Sequence, residues 1–316
     1  MKTKSLSTVL LFLLLGYVSF GQVTEVEKKL REVKADTIMG WKKGGVVALN
    51  FAQTSLTNWA AGGQNSLSLN GLFSGFATYK QGKSSWDNLL EIGYGLLKQG
   101  DEGYRKTDDK IELTSKYGRE AFKDFNYAAL LNFRTQMSPG YKYPDTQNKI
   151  SDAFAPAYLM LALGLDYKPS PYISAFIAPV AAKFTFVTDP VLSDAGAFGV
   201  TPGETSRSEF GGYLRAIYTR SDFKGEFLKN VAFTTKLDLF SNYRDNPQNI
   251  DINWETLIAL KVNKFISVSF NINLLYDDNV KVPVDRNGNG IFEPTETPGP
   301  RTQFKEILGV GFSYKF

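Results

Sequence analysis

Residues Phe304 to Phe316 alternate apolar or aromatic side chains with polar or small ones. Counted back from the end, one face reads Phe316, Tyr314, Phe312, Val310 and Leu308 and meets its first charge at Glu306. The other face is Lys315, Ser313, Gly311 and Gly309, with Ile307 as its one greasy member. A period of two puts these sets on opposite sides of a strand, one suited to lipid and the other to a polar interior, which is how a strand of an outer-membrane β-barrel reads.

The rest of the chain repeats that pattern. Segments near 44–57, 65–80, 85–98, 109–119, 124–137, 156–168, 172–188, 209–220, 230–243, 250–262, 265–277 and 303–316 have strand character, each about as long as a tilted strand needs to cross a bilayer. In 125–137, Phe125, Tyr127, Ala129, Leu131 and Phe133 alternate with Asn126, Ala128, Leu130, Asn132 and Arg134. In 250–262, Ile250, Ile252, Trp254 and Ile258 alternate with Asp251, Asn253, Glu255 and Leu257. Connections alternate too. Short ones are expected near 81–84, 119–124, 168–171, 221–230 and 263–264, and longer ones near 100–108, 138–155, 189–208 and 283–302, with two brief exceptions on the long side at 59–64 and 244–249. Short periplasmic turns with longer outer loops are the asymmetry of these barrels. The fold class predicted is all-β: a transmembrane antiparallel up-and-down barrel of about twelve strands. Aromatic residues gather at the predicted strand ends, among them Tyr79, Trp86, Tyr127, Tyr167, Tyr172, Tyr243 and Tyr276.

The amino-terminal region fits export. Lys2 and Lys4 precede an apolar run from Val9 to Leu15, and Ser19 and Gly21 supply the small residues of a cleavage site. The expected organisation is a signal peptide over 1–21, a periplasmic segment over 22–42 and a barrel over 43–316. With no Cys near the cleavage point, a lipid-modified terminus is not expected. In the periplasmic segment Val23, Val26, Leu30 and Val33 recur at helical spacing among charged residues. It reads as a short amphipathic helix or, because isolated helices of this length are marginal in water, as a partly disordered tail.

Composition excludes several functions. The formal charge of +4 falls to +2 once Lys2 and Lys4 leave with the signal, so nucleic-acid binding has no electrostatic support. The chain has no cysteine and no histidine. That removes thiol chemistry, Ser-His-Asp hydrolysis and most transition-metal sites, and no enzymatic activity is expected.

The stretch FAQTSLTNWAAGGQNSLSLNGLF, Phe51 to Phe73, and the ending QFKEILGVGFSYKF, Gln303 to Phe316, resemble the Bacteroidota outer-membrane barrel family known as domain of unknown function 3078. The pairs Asn58-Trp59 and Gly62-Gly63 are the most specific part, and the resemblance runs from about Lys42 onward. It implies a barrel in the cell outer membrane and carries over no catalytic residues.

One segment proposes a ligand. Asp285-Arg286-Asn287-Gly288-Asn289-Gly290-Ile291-Phe292-Glu293-Pro294-Thr295-Glu296 matches the calcium-loop pattern of twelve positions. Asp285, Asn287 and Asn289 would give side-chain oxygens, Ile291 its carbonyl, Glu293 a direct or water-mediated ligand and Glu296 a bidentate carboxylate. The same residues also read as a polar Asn-Gly turn, and the flanks Val282-Pro283-Val284 and Pro298-Gly299-Pro300 are not helical.

The inward face is predicted to hold Asp87, Glu91, Lys110, Glu112, Lys116, Asn132, Arg134, Lys236, Asp238, Asp251, Glu255 and Lys261. Mixed signs either pair and fill a narrow barrel or line a wet path with a transverse field. Two functions follow: a passive or selective channel for small solutes, or a non-conducting structural or interaction barrel docked to an envelope protein. Membrane lipid and the barrel-assembly machinery are the partners expected in either case.

Overall fold

The computed structural model describes residues 39–57, 63–143, 145–226, 228–263, 266–282 and 298–315. The signal, the amphipathic segment, Asn58-Trp59 and Phe316 lie outside them. Twelve antiparallel strands close into one barrel. They are β1 (Gly40–Thr54), β2 (Ser66–Gln81), β3 (Ser84–Gln99), β4 (Arg105–Phe122), β5 (Phe125–Thr135), β6 (Ala157–Ser170), β7 (Ile173–Phe186), β8 (Ser206–Arg220), β9 (Val231–Asn242), β10 (Ile250–Lys261), β11 (Ile266–Tyr276) and β12 (Gln303–Lys315). Each pairs with its chain neighbours, and β12 closes on β1 with Val46 opposite Lys315 and Asn50 opposite Gly311. Closure leaves no unpaired edge in the barrel wall.

The period of two decides what faces where. Outward positions are apolar and exposed, as at Leu49 (65%), Leu163 (59%), Val180 (63%) and Leu308 (69%). Inward positions on β4 to β10 carry most of the charges and large buried side chains, with Ala128, Ala162, Ala178 and Ala181 among them. Those on β11, β12 and β1 to β3 include Ser267, Ser269, Asn271, Asn273, Gly309, Gly311, Asn50, Asn70, Gly93 and Gly95. The inward charges thus concentrate on β4 to β10, and the opposite wall holds more small polar residues and glycines.

The register shifts where β7 carries one extra residue: Leu163 and Leu165 face Val180 and Ile177, and Gly211 and Tyr213 face Ala181 and Ala178. At Gly211 the neighbouring backbone leaves no room for a side chain, because a Cβ there would lie 1.7 Å from the Ser241 carbonyl oxygen.

Both ends of the strand series and the connections 82–83, 123–124, 171–172, 221–230 and 262–265 lie at one end of the barrel; the long connections 136–156, 187–205 and 277–302 lie at the other, with 55–65, 243–249 and 100–104, the last expected to be long and in fact only five residues. Two of the long ones are ordered together. In the second, Asp189 caps helix α1 (Pro190–Asp194) by accepting from the Leu192 amide at 3.0 Å, and a 3₁₀ turn follows at Ala197–Gly199. Ala155 from the first connection packs with Val187, Leu192 and Val200 in a small separate core. The Asp189 carboxyl also accepts from Lys149, which bonds Asp152 at 2.7 Å. These bonds hold the Asp189 carboxyl below its ordinary range and raise the Lys149 ammonium.

Candidate functional site

The inward charges form three tiers along the bore. In the middle tier Lys110 and Glu112 of β4 meet Glu91 of β3, Arg134 of β5, Lys236 of β9 and Glu255 of β10. Lys110 Nζ lies 3.2 Å from Glu112, 3.7 Å from Glu91 and 3.9 Å from Glu255. Lys236 Nζ lies 3.4 Å from Glu112 and 3.2 Å from Glu255. Arg134 reaches Glu255 at 3.9 Å, and the Asn132 side-chain amide donates to Glu112 at 2.9 Å. Strands β4 and β10 are half the circumference apart, and β4 and β9 nearly so. These contacts therefore span the bore.

Three cations face three carboxylates in this tier, so its formal charge is balanced. Glu112 retains only 2% side-chain exposure and Lys236 9%. A carboxylate lining a wide aqueous pore would be wetted far more, and at this level the side chains themselves occupy the bore. Beside them Arg215 forks onto Asp238 at 2.6 and 3.0 Å, and the Tyr213 hydroxyl donates to Asp238 at 2.7 Å. Buried Leu130, Phe176, Tyr213 and Phe240 pack against this group with Ala128, Ala162, Ala178 and Ala181.

The tier toward the short connections centres on Asp166, which binds Lys116 at 2.8 Å and Lys168 at 3.1 Å and accepts from Ser174 at 3.0 Å. The tier toward the long connections centres on Lys183, 2.6 Å from Asp251, 2.7 Å from Asp277 and 3.5 Å from Glu209, with Arg207 bonded to Glu209 at 2.8 Å. Lys305 bonds Asp108 at 2.9 Å near the same end.

Sequence reasoning placed Glu91, Lys110, Glu112, Lys116, Asn132, Arg134, Lys236, Asp238, Asp251 and Glu255 inward, and the pairing register agrees. Of its two readings of these residues, pairing is observed, between neighbouring strands as at Lys236 and Glu255, and it extends across the bore as at Lys236 and Glu112. Asp251 and Glu255 belong to different tiers and do not form a carboxylate pair. Sequence reasoning missed Asp166, Lys183, Glu209, Arg215 and Asp277.

Not all of the interior is filled. Asn271, opposite Leu257 and Ile307 on the small wall, is an exposed inward side chain. Solvent therefore reaches the flank of the charged tiers.

The calcium-loop residues Asp285, Asn287, Asn289, Ile291, Glu293 and Glu296 lie outside the described residues. The flanks are described: Lys281–Val282 pairs with Gly299–Pro300, closing the base of that connection. Among the described residues no group of three or more His, Cys, Asp or Glu is placed to hold a metal ion, and no helix is long and apolar enough to cross a membrane.

A family model described as Protein of unknown function (DUF3078) matches residues 51–141. That stretch includes Phe51 to Phe73 and excludes Gln303 to Phe316. No curated protein matches the chain. Among solved structures, an outer membrane channel from Pseudomonas putida F1 aligns with 89% of this chain and 97% of its own, at 10% identity and a TM-score of 0.39.

Proposed function

We propose that the protein is an outer-membrane barrel whose bore is a narrow, charge-latched channel for small solutes and not a general-diffusion pore. Membrane residence is supported by the outward surface. Leu49, Leu163, Val180 and Leu308 belong to an exposed apolar face far larger than water-soluble proteins present, and the closed ladder satisfies the backbone without water. The three long connections at one end of the barrel support the same reading.

The observation that carries the channel assignment is the contrast between the two walls. Lys236 and Lys110 reach carboxylates across the bore, while the inward Asn271 of β11 stays exposed beside them. Small polar groups next to paired charges of both signs offer hydrogen bonds without a strong preference for either ion sign. The low exposure of Glu112 favours a second reading, a non-conducting barrel with a structural or docking role.

Efflux from vesicles carrying the purified protein separates the two. Escape of monovalent ions with retention of disaccharides supports the narrow channel. Retention of both favours the second reading, and release of both contradicts the latch.

A further inference from the structure

A groove of about 430 Å³ opens on the outward face of β1 to β4 near the short-connection end. Lys43, Phe73, Gly75, Ala77, Leu90 and Leu113 line it, with the Phe73 ring folded over Gly75. The pairings Lys43↔Ala77, Gly75↔Leu90 and Leu90↔Leu113 put these residues in adjacent outward rows. Small residues among bulky ones make the recess.

The next row toward the strand ends is aromatic: Trp41, Tyr79, Trp86 and Tyr117 are in register. The Trp41 ring lies 5.1 Å from Tyr79 and 5.8 Å from Trp86, and the Lys43 ammonium sits 5.7 Å above Trp41. Such a row marks headgroup depth. In the row containing Lys43, Ala77 is followed by the polar Asn88 and Ser115, with Trp86 Nε1 donating to Ser115 and Ser115 donating to Asn88, each at 2.8 Å. From the strand ends inward the surface reads aromatic belt, cation with hydrogen-bonding groups, then apolar recess. That is the order of a phospholipid from headgroup to chain.

We propose that this surface binds one anionic phospholipid, its phosphate on Lys43 and one acyl chain in the Gly75–Ala77 recess. The inference rests on the membrane reading above. A lysine on a lipid-facing wall is costly without a counter-charge, and basic side chains at this depth recruit anionic headgroups. A second copy is the poorer occupant, because a two-fold contact through this patch would set Lys43 against its own equivalent.

Native mass spectrometry of delipidated protein, titrated with phosphatidylglycerol and with phosphatidylcholine of the same chains, tests the site. One retained lipid per chain is expected, with phosphatidylglycerol preferred. Lys43→Gln should weaken that lipid about fivefold, the factor corresponding to about 1 kcal/mol per basic side chain at an anionic surface. Lys43→Arg should preserve it, and Ala77→Leu, which fills the recess, should weaken both lipids. Equal retention of the two lipids, or no change in Lys43→Gln, overturns the proposal. So does a stable dimer that Ala77→Leu dissociates. Resistance of the vesicle-bound protein to alkaline extraction is read separately. Protein that is extracted refutes the membrane reading, whereas protein that resists without a lipid preference refutes only this site.

Discussion

Replacing Glu112 by Gln probes the middle tier directly. Glu112 is 2% exposed, lies 3.2 Å from Lys110 and 3.4 Å from Lys236, and accepts from Asn132 at 2.9 Å. Gln keeps the volume and the bond from Asn132 but leaves three cations against two carboxylates. Removing one partner of a buried ion pair typically costs about 3–5 kcal/mol. Because Lys236 keeps Glu255, and Lys110 keeps Glu255 and Glu91, the low end is expected, about 3 kcal/mol. The charge-balanced Glu112→Gln/Lys236→Met variant should recover most of that loss, since neutral replacement of a whole buried pair is often nearly neutral in stability. Urea unfolding in vesicles, followed by gel mobility and tryptophan fluorescence, gives the midpoints, and an unchanged slope would confirm that stability alone shifted. A cost below about 0.5 kcal/mol for the single variant would refute the reasoning, because it would mean that water screens the tier as it screens a surface pair.

Three further outcomes are expected. Gly211→Ala should lower the yield of folded barrel and cost about 1–3 kcal/mol or more, because its Cβ would meet rigid backbone, whereas Gly212→Ala should cost less since it meets only the movable tip of Tyr243; heat-modifiable gel migration checks both. The Lys149–Asp189 bond gives the long connections a pH dependence. The depressed Asp189 carboxyl contributes order that is present above the ordinary aspartate range and lost as pH falls through its lower folded value, and the raised Lys149 contribution is lost only as pH rises above the ordinary lysine range; protease sensitivity of 187–205 should therefore be flat from about pH 5 to 9 and rise in acid. If Asp285 to Glu296 binds calcium, millimolar calcium should protect the connection between Val282 and Gly299 from proteolysis, with an affinity of about 10⁻⁴–10⁻³ M that Glu296→Gln weakens; equal cleavage with calcium and with chelator refutes it.

The strands were legible because each is read on two faces at once. Phe125 to Arg134 alternates without a break, and β5 runs over Phe125–Thr135. Leu308, Val310 and Phe312 are all more than half exposed on the outward face, as their alternation requires. The inward charges of β3, β4, β9 and β10 followed from the same count. Those of β6 to β8 did not, and the reason is local. A bulge in β7 between Ala178 and Ala181 shifts the period of that strand, so Lys183 fell out of phase with Phe176, while Ala162, Ala178 and Ala181 thin the polar signal around Asp166 and Glu209. Asp277 closes the predicted segment 265–277 and lies just beyond β11, in phase with Asn271 and Asn273. Cross-bore partners are beyond sequence periodicity altogether: Lys236 and Glu112 are 124 residues apart and meet only because the barrel closes. Helix α1 did have a signal, Asp189 followed by Pro190, an N-cap with proline at the first helical position.

Single-channel recording in planar bilayers of the native protein and of Lys236→Ala tests the latch most directly. Lys236 reaches across to both Glu112 and Glu255, so its truncation both widens the middle tier and leaves it with one excess negative charge. Small, weakly selective steps are expected from the native protein, and larger, cation-selective steps from the variant. Electrical silence of both, with the two proteins equally inserted and folded, would contradict the channel account.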